Sequence, residues 1–161
     1  MMRCIAIDDE PLALAQITGY IANTPFLELM AAFPSAIGAV NMLTTQDADL
    51  LFVDINMPDL NGLDFVRSLS KKPLVIFTTA YSEYALEGFR ADALDYLLKP
   101  IGYPDFLRSA EKAYRQFTLL AKETTMQQPE ARQIFVKSEY KMVQVDVDSI
   151  LYIESRGEYL R

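Results

Sequence analysis

Four groups of polar residues, each closing a short apolar run, hold the chemistry open to this chain: Asp8-Asp9-Glu10, Asp54, Thr78-Thr79 and Lys99. Carboxylates gathered on one edge repel one another and favour a cation between them. With oxygen donors only, that cation is a hard ion such as Mg²⁺. An aspartate in the turn Asp54-Ile55-Asn56-Met57-Pro58 is expected to sit exposed at the mouth of such a site on rigid backbone, which suits a carboxylate nucleophile. Phosphoryl transfer needs positioning and positive charge around the moving oxygens more than covalent chemistry. Lys99 supplies a compact ammonium, and a cis Lys99–Pro100 bond is one way to aim it. The Thr79 hydroxyl can donate to a phosphoryl oxygen on Asp54, and Tyr96 is placed to change rotamer as Thr79 moves. Each residue also has a blander reading. Asp8 or Asp9 can cap the helix that Pro11 opens, though capping employs one acid and not three. Tyr96 alone is a core-edge tyrosine, and a lone Lys-Pro pair is an ordinary surface feature.

Composition removes whole classes of chemistry. There is no histidine among the 161 residues, which excludes His-based triads, His-ligated zinc and a His general base. Cys4 is the single cysteine, so no intramolecular disulfide is possible, and its apolar setting reads as an inert buried thiol. Residues 1–121 hold nine Lys/Arg against fifteen Asp/Glu, and residues 122–161 six against seven. Neither part has the basic footprint of a finished nucleic-acid surface. The apolar start Met1–Ile7 is too short for a signal peptide, and no stretch is long enough to cross a bilayer. A cytoplasmic location and no membrane partner are expected.

The elements that must position these groups alternate in type. Apolar, β-branched runs at Cys4–Ile7, Leu27–Phe33, Leu50–Val53, Leu74–Thr78 and Leu94–Leu97 read as strands buried on both faces. Between them, Pro11–Ala22, Ser35–Leu43, Asn61–Leu69, Glu83–Phe89 and Tyr103–Leu120 read as helices. Leu12, Ala15, Gln16, Gly19 and Tyr20 recur by turns in the first. Phe106, Ala110, Ala113, Phe117 and Leu120 form a core-facing stripe in the last. Such alternation predicts an α/β fold, a doubly wound five-stranded parallel sheet with helices on both faces. Ligands then bind outside the carboxyl ends of the strands, where all four polar groups fall. Beyond Leu120 the polar stretch 122–132 reads as a linker. Ile134–Val136, Met142–Val145, Ile150–Ile153 and Tyr159-Leu160 read as short strands of a β-rich C-terminal fragment.

Taken jointly, Asp8-Asp9, Asp54 with Met57-Pro58 and Gly62, Thr79-Ala80, and Tyr96 with Lys99-Pro100 resemble a CheY-like response-regulator receiver domain over residues 1–121. The resemblance implies a flavodoxin-like strand order 2-1-3-4-5. It implies Mg²⁺ held directly by Asp9, Asp54 and the backbone carbonyl of Asn56, with Asp8 acting through water. Asp54 would accept a phosphoryl group from the phosphohistidine of a sensor histidine kinase, Lys99 and Thr79 would contact it, and Tyr96 would report it. The runs Thr78–Tyr81, Ala85-Leu86 and Ala93–Ile101 look like the LytR/AlgR branch. There the receiver precedes a LytTR-type DNA-binding domain, whose opening strands residues 133–161 resemble. This part is expected to be incomplete, with DNA bound only by a full-length protein and no DNA-contacting residue assigned.

Family members commonly dimerise through the face of the fourth helix, fifth strand and fifth helix, for which Tyr84, Phe89, Arg90, Asp92, Asp95 and Arg108 are candidates. The rival reading is a Mg²⁺-dependent phosphatase of haloacid-dehalogenase type. Such enzymes want an acid two residues beyond the nucleophile, and Asn56 stands there instead. The chain is therefore read as a phosphoacceptor with at most slow self-dephosphorylation, not an enzyme.

Overall fold

The computed structural model describes residues 1–82 and 93–126, together with four strands between 133 and 160. In chain order the elements are β1 (Met2–Ile7), α1 (Pro11–Ala22), β2 (Leu27–Phe33), α2 (Ala36–Thr45), β3 (Leu50–Asp54), α3 (Gly62–Ser68), β4 (Leu74–Thr79), β5 (Asp95–Leu98) and α4 (Tyr103–Met126). The strands β6 (Gln133–Ser138), β7 (Lys141–Asp146), β8 (Ser155–Arg156) and β9 (Tyr159–Leu160) follow. The chain divides into two units, Met1–Leu119 and Leu120–Arg161. The expected helix at Glu83–Phe89 and strand at Ile150–Ile153 fall outside the described residues.

Strands apolar at every position must be covered on both faces, because successive side chains leave on opposite sides. Cys4, Ala6, Leu50, Phe52 and Ile76 point to one layer, where Ile17 and Ile21 of α1 and Phe106, Ala110 and Ala113 of α4 cover them. Ile5, Ile7, Leu51, Val53, Val75 and Phe77 point to the other, against Ala36 and Ala39 of α2 and Phe65 and Val66 of α3. The sheet runs β2-β1-β3-β4-β5 with every described pairing parallel, the order expected. Ile7, Val53, Phe77 and Tyr96 form one row across it. One residue further along, β3 and β4 place Asp54 opposite Thr78, so the polar groups emerge together at the carboxyl edge.

Local signals set the helix starts. Pro11 opens α1, Ser35 Oγ accepts from Gly38 N at 3.5 Å, and Asn61 Oδ1 accepts from Leu63 N at 2.8 Å. Leu12, Ala15, Gln16 and Gly19 of α1 are exposed, and the helix buries Ile17 and Ile21, a β-branched pair one turn apart. Its bounds are those read from the sequence. One expectation needs correction. The last helix runs to Met126, past Leu120 and into the stretch read as linker, and Leu120 is exposed. In the second unit, β6 and β7 pair antiparallel from Gln133–Asp146 to Ser138–Lys141, and β8 pairs antiparallel with β9.

Candidate functional site

The site is assembled from strand ends. Asp8 directly follows β1, and its amide donates to the Phe33 carbonyl at 3.1 Å. Its buried carboxylate turns back, Oδ1 accepting the Glu10 amide at 2.9 Å. That bond forms a side-chain turn ahead of α1, whose N-cap is Glu10 with no side-chain capping bond, so the acid pair is not accounted for by capping. Asp9 is exposed beside it. Asp54 is the final residue of β3 and is 4 % exposed, not open at the mouth as its place before a turn suggested. The following turn folds back tightly, Gly62 N donating to Ile55 O at 2.8 Å. A methyl group on Gly62 would collide with the Asp54 carbonyl oxygen, so the close return needs glycine.

Ligand oxygens of Asp8, Asp9 and Asp54 lie within 4.8 Å of one another. Lys99 reaches across from beyond β5, its backbone tied to Thr79 by an N–H···O bond of 2.7 Å and its peptide bond to Pro100 cis. Its Nζ stands 2.8 Å from Asp8 Oδ2, 3.5 Å from Glu10 Oε2 and 3.6 Å from Asp54 Oδ1. Burial works to lower the Lys99 pKa, but the Asp8 hydrogen bond and the charges of Asp54, Asp8 and Glu10 outweigh it, and the ammonium is held above its ordinary range. Burial pushes the Asp54 carboxyl up to about 7, helped by the charge of Asp8 and by Asp9, against the opposing pull of Lys99. Such a strained oxygen cluster fits a hard divalent cation.

Thr79 is buried at the end of β4, with Oγ1 accepting from Tyr81 N at 3.0 Å. Tyr96 is half-buried in β5 and packs on Phe77, ring centroids 5.4 Å apart. Asn56 is exposed two residues beyond Asp54. Asp8, Asp54 and Lys99 are thus in direct array, while Thr79 and Tyr96 border it. Of the dimer-face candidates, Tyr84, Phe89, Arg90 and Asp92 lie outside the described residues. Asp95 accepts from Tyr96 N at 2.9 Å and from Ser109 Oγ at 2.6 Å, and Arg108 pairs with Asp105 at 2.7 Å.

Two features escaped the sequence reading. Glu10 pairs with Lys99 across 89 positions, a link visible only through the fold. A seam also ties α1 to the start of α4. Tyr20 OH donates to Ile101 O at 2.8 Å, Tyr103 OH donates to Asn23 O at 3.2 Å, and Tyr20 packs on Tyr103 at 5.2 Å. The aromatic residues were visible as types, but nothing in their spacing pairs them.

Residues 4–111 match the family model described as the response regulator receiver domain. The chain belongs to this family. This receiver is 31 % identical over 156 residues to the sensory transduction protein LytT of Enterococcus faecalis, covering 94 % of this chain and 64 % of LytT. It is 35 % identical over 103 residues to the transcriptional regulatory protein BtsR of Escherichia coli K12, covering 63 % of this chain and 43 % of BtsR. The chain therefore spans about half to two thirds of these relatives' length. Among solved structures, the response regulatory domain of mrkE from Klebsiella pneumoniae superposes with a TM-score of 0.67 at 28 % identity, covering 73 % of this chain and 99 % of that domain. Among the described residues no helix is long and apolar enough to cross a membrane.

Proposed function

We propose that Asp54 is the phosphoacceptor of a two-component signalling protein and that a sensor histidine kinase supplies the phosphoryl group. The observation that carries this reading is the buried Asp54 carboxylate grouped with Asp8 and Asp9 and faced by Lys99 at 3.6 Å. Asp9, Asp54 and the Asn56 carbonyl would hold Mg²⁺, with Asp8 acting through water, and the bound ion would neutralise charge on the phosphoryl oxygens. An Asp54 carboxylate oxygen forms the bond to phosphorus as the P–N bond of the phosphohistidine breaks, the imidazole nitrogen keeping the electron pair. Lys99 then exchanges carboxylate partners for a phosphoryl oxygen, and the Thr79 hydroxyl donates to another. Tyr96, beside β4, follows that movement to the surface formed by β5 and α4. The Asn56 carboxamide is too weak an acid to protonate a leaving group, which favours storage of the phosphoryl group over turnover.

The names of LytT, a sensory transduction protein, and BtsR, a transcriptional regulatory protein, support a signalling protein whose complete form regulates transcription. The reading extends to a cytoplasmic protein that binds DNA when complete, with residues 1–121 as receiver, 122–132 as connection and 133–161 opening a LytTR-type domain. Homodimerisation through β5 and its flanking helices is part of this reading. The test is intact-mass spectrometry after incubation with a small phosphodonor and Mg²⁺, on wild type and Asp54→Asn. One base-labile phosphoryl adduct on wild type alone is expected. An adduct on both proteins, or on neither, overturns the assignment.

A further inference from the structure

We propose that Glu10 is a specificity-determining residue that disfavours dianionic free phosphodonors and so reserves Asp54 for a phosphohistidine presented by a protein. The inference rests on the reading of Asp54 as phosphoacceptor. Glu10 takes no part in the metal cluster of Asp8, Asp9 and Asp54. It makes no side-chain cap for α1 either. Its backbone is fixed instead, because the Glu10 N–H is donated to Asp8 Oδ1 at 2.9 Å. The side chain, 64 % exposed, projects to the rim of the site and ends 3.5 Å from Lys99 Nζ. Among the described residues, Lys99 is the one cation ion-paired with this edge, and Asp8, Glu10 and Asp54 all draw on it.

Two effects of Glu10 follow, with the same sign. It holds part of the Lys99 field away from Asp54, and it adds a negative charge where a free donor must enter. Four carboxylates against one ammonium and one divalent ion leave the rim negative even when the metal site is filled. A small dianion meets that repulsion unaided, since its approach is governed by the local field. A phosphohistidine held by a docked protein does not, because its position is set by contacts elsewhere on the partner.

The experiment follows intact mass over time for wild type, Glu10→Gln and Glu10→Asp with two donors, at Mg²⁺ saturating for each protein. Acetyl phosphate is a dianion; phosphoramidate carries one fewer negative charge. With the first, Asp54 gains the O–P bond as the P–O bond to acetate breaks and acetate leaves with the electron pair. With the second, the P–N bond breaks and neutral ammonia leaves with it. Glu10→Gln is expected to raise the acetyl phosphate rate constant roughly three- to tenfold, and the phosphoramidate rate constant by less than half that factor. The difference should shrink at high salt as screening shortens the reach of the field. Glu10→Asp, which keeps the charge, should keep the wild-type ratio. Rate constants that rise or fall together for both donors would make Glu10 a structural residue and overturn the inference. If wild type gains no adduct from either donor, the Asp54 reading fails, and the inference falls with it.

Discussion

Between the pH at which Asp54 ionises in an unfolded chain, near 3.8, and the pH of about 7 at which it ionises here, the folded protein keeps a proton that the unfolded chain has lost. The folded state binds more protons across that window, so stability falls as pH rises and levels off once both states are ionised. This is the reverse of an aspartate held in a favourable salt bridge. It arises because burial and Asp8 outweigh Lys99. Without divalent ions, urea denaturation should therefore find wild type about 1 kcal/mol less stable at pH 8 than at pH 6. Asp54→Asn should lack that slope and exceed wild type by about 2 kcal/mol at pH 8. Equal slopes for the two proteins would mean that Asp54 is ionised throughout and that Lys99 fully compensates the cluster.

At the scale of elements, glycine separates geometry that serves the site from geometry that merely accommodates a helix. Gly62 begins α3 where the chain returns over the Asp54 carbonyl, and an added Cβ has nowhere to go. Gly19 lies in the exposed face of α1, and an added Cβ meets nothing within 4 Å. Denaturation should show Gly62→Ala destabilised by about 2–4 kcal/mol and Gly19→Ala stabilised by about 0.5–1 kcal/mol. Stabilisation of Gly62→Ala would show that the turn relaxes freely and places no constraint on Asp54. The same scale explains what the sequence revealed. Strands buried on both faces announce themselves by unbroken apolar runs, as in Leu50–Val53, whereas the strand order came only from the resemblance that the motif residues carry. The end of α4 did not announce itself. Lys122-Glu123 favour helix, but an exposed polar helix has no stripe to distinguish it from a linker, and Pro129 drew the boundary too early. The Asp54 burial was hidden for a related reason, since what closes over a strand end is a loop whose path no periodicity records.

For the whole molecule the question is how much chain the site requires. Among the described residues, every side chain buried in the two layers of the core lies between Met2 and Ala113. Asp8, Asp9, Glu10, Asp54, Thr79, Tyr96 and Lys99 all fall within the unit Met1–Leu119, and so does the Tyr20–Tyr103 seam that joins α1 to α4. The last part of α4 adds no buried residue beyond Ala113, and Leu119, Leu120 and Met126 are exposed. Burial of apolar surface is the main stabilising contribution to such a domain, so residues 1–126 should hold nearly all the stability of the unit that carries the site. A protein ending at Met126 is expected to unfold in one cooperative transition, with a midpoint within a few degrees of the receiver transition in the whole chain. It should also take a phosphoryl group from a small donor at an unchanged rate, because every described group that faces Asp54 is kept. Calorimetry and intact-mass time courses on the two lengths make the comparison. A shortened protein that folds but is phosphorylated at a changed rate would place part of the control of Asp54 in residues 127–161, and the receiver could no longer be treated as self-sufficient.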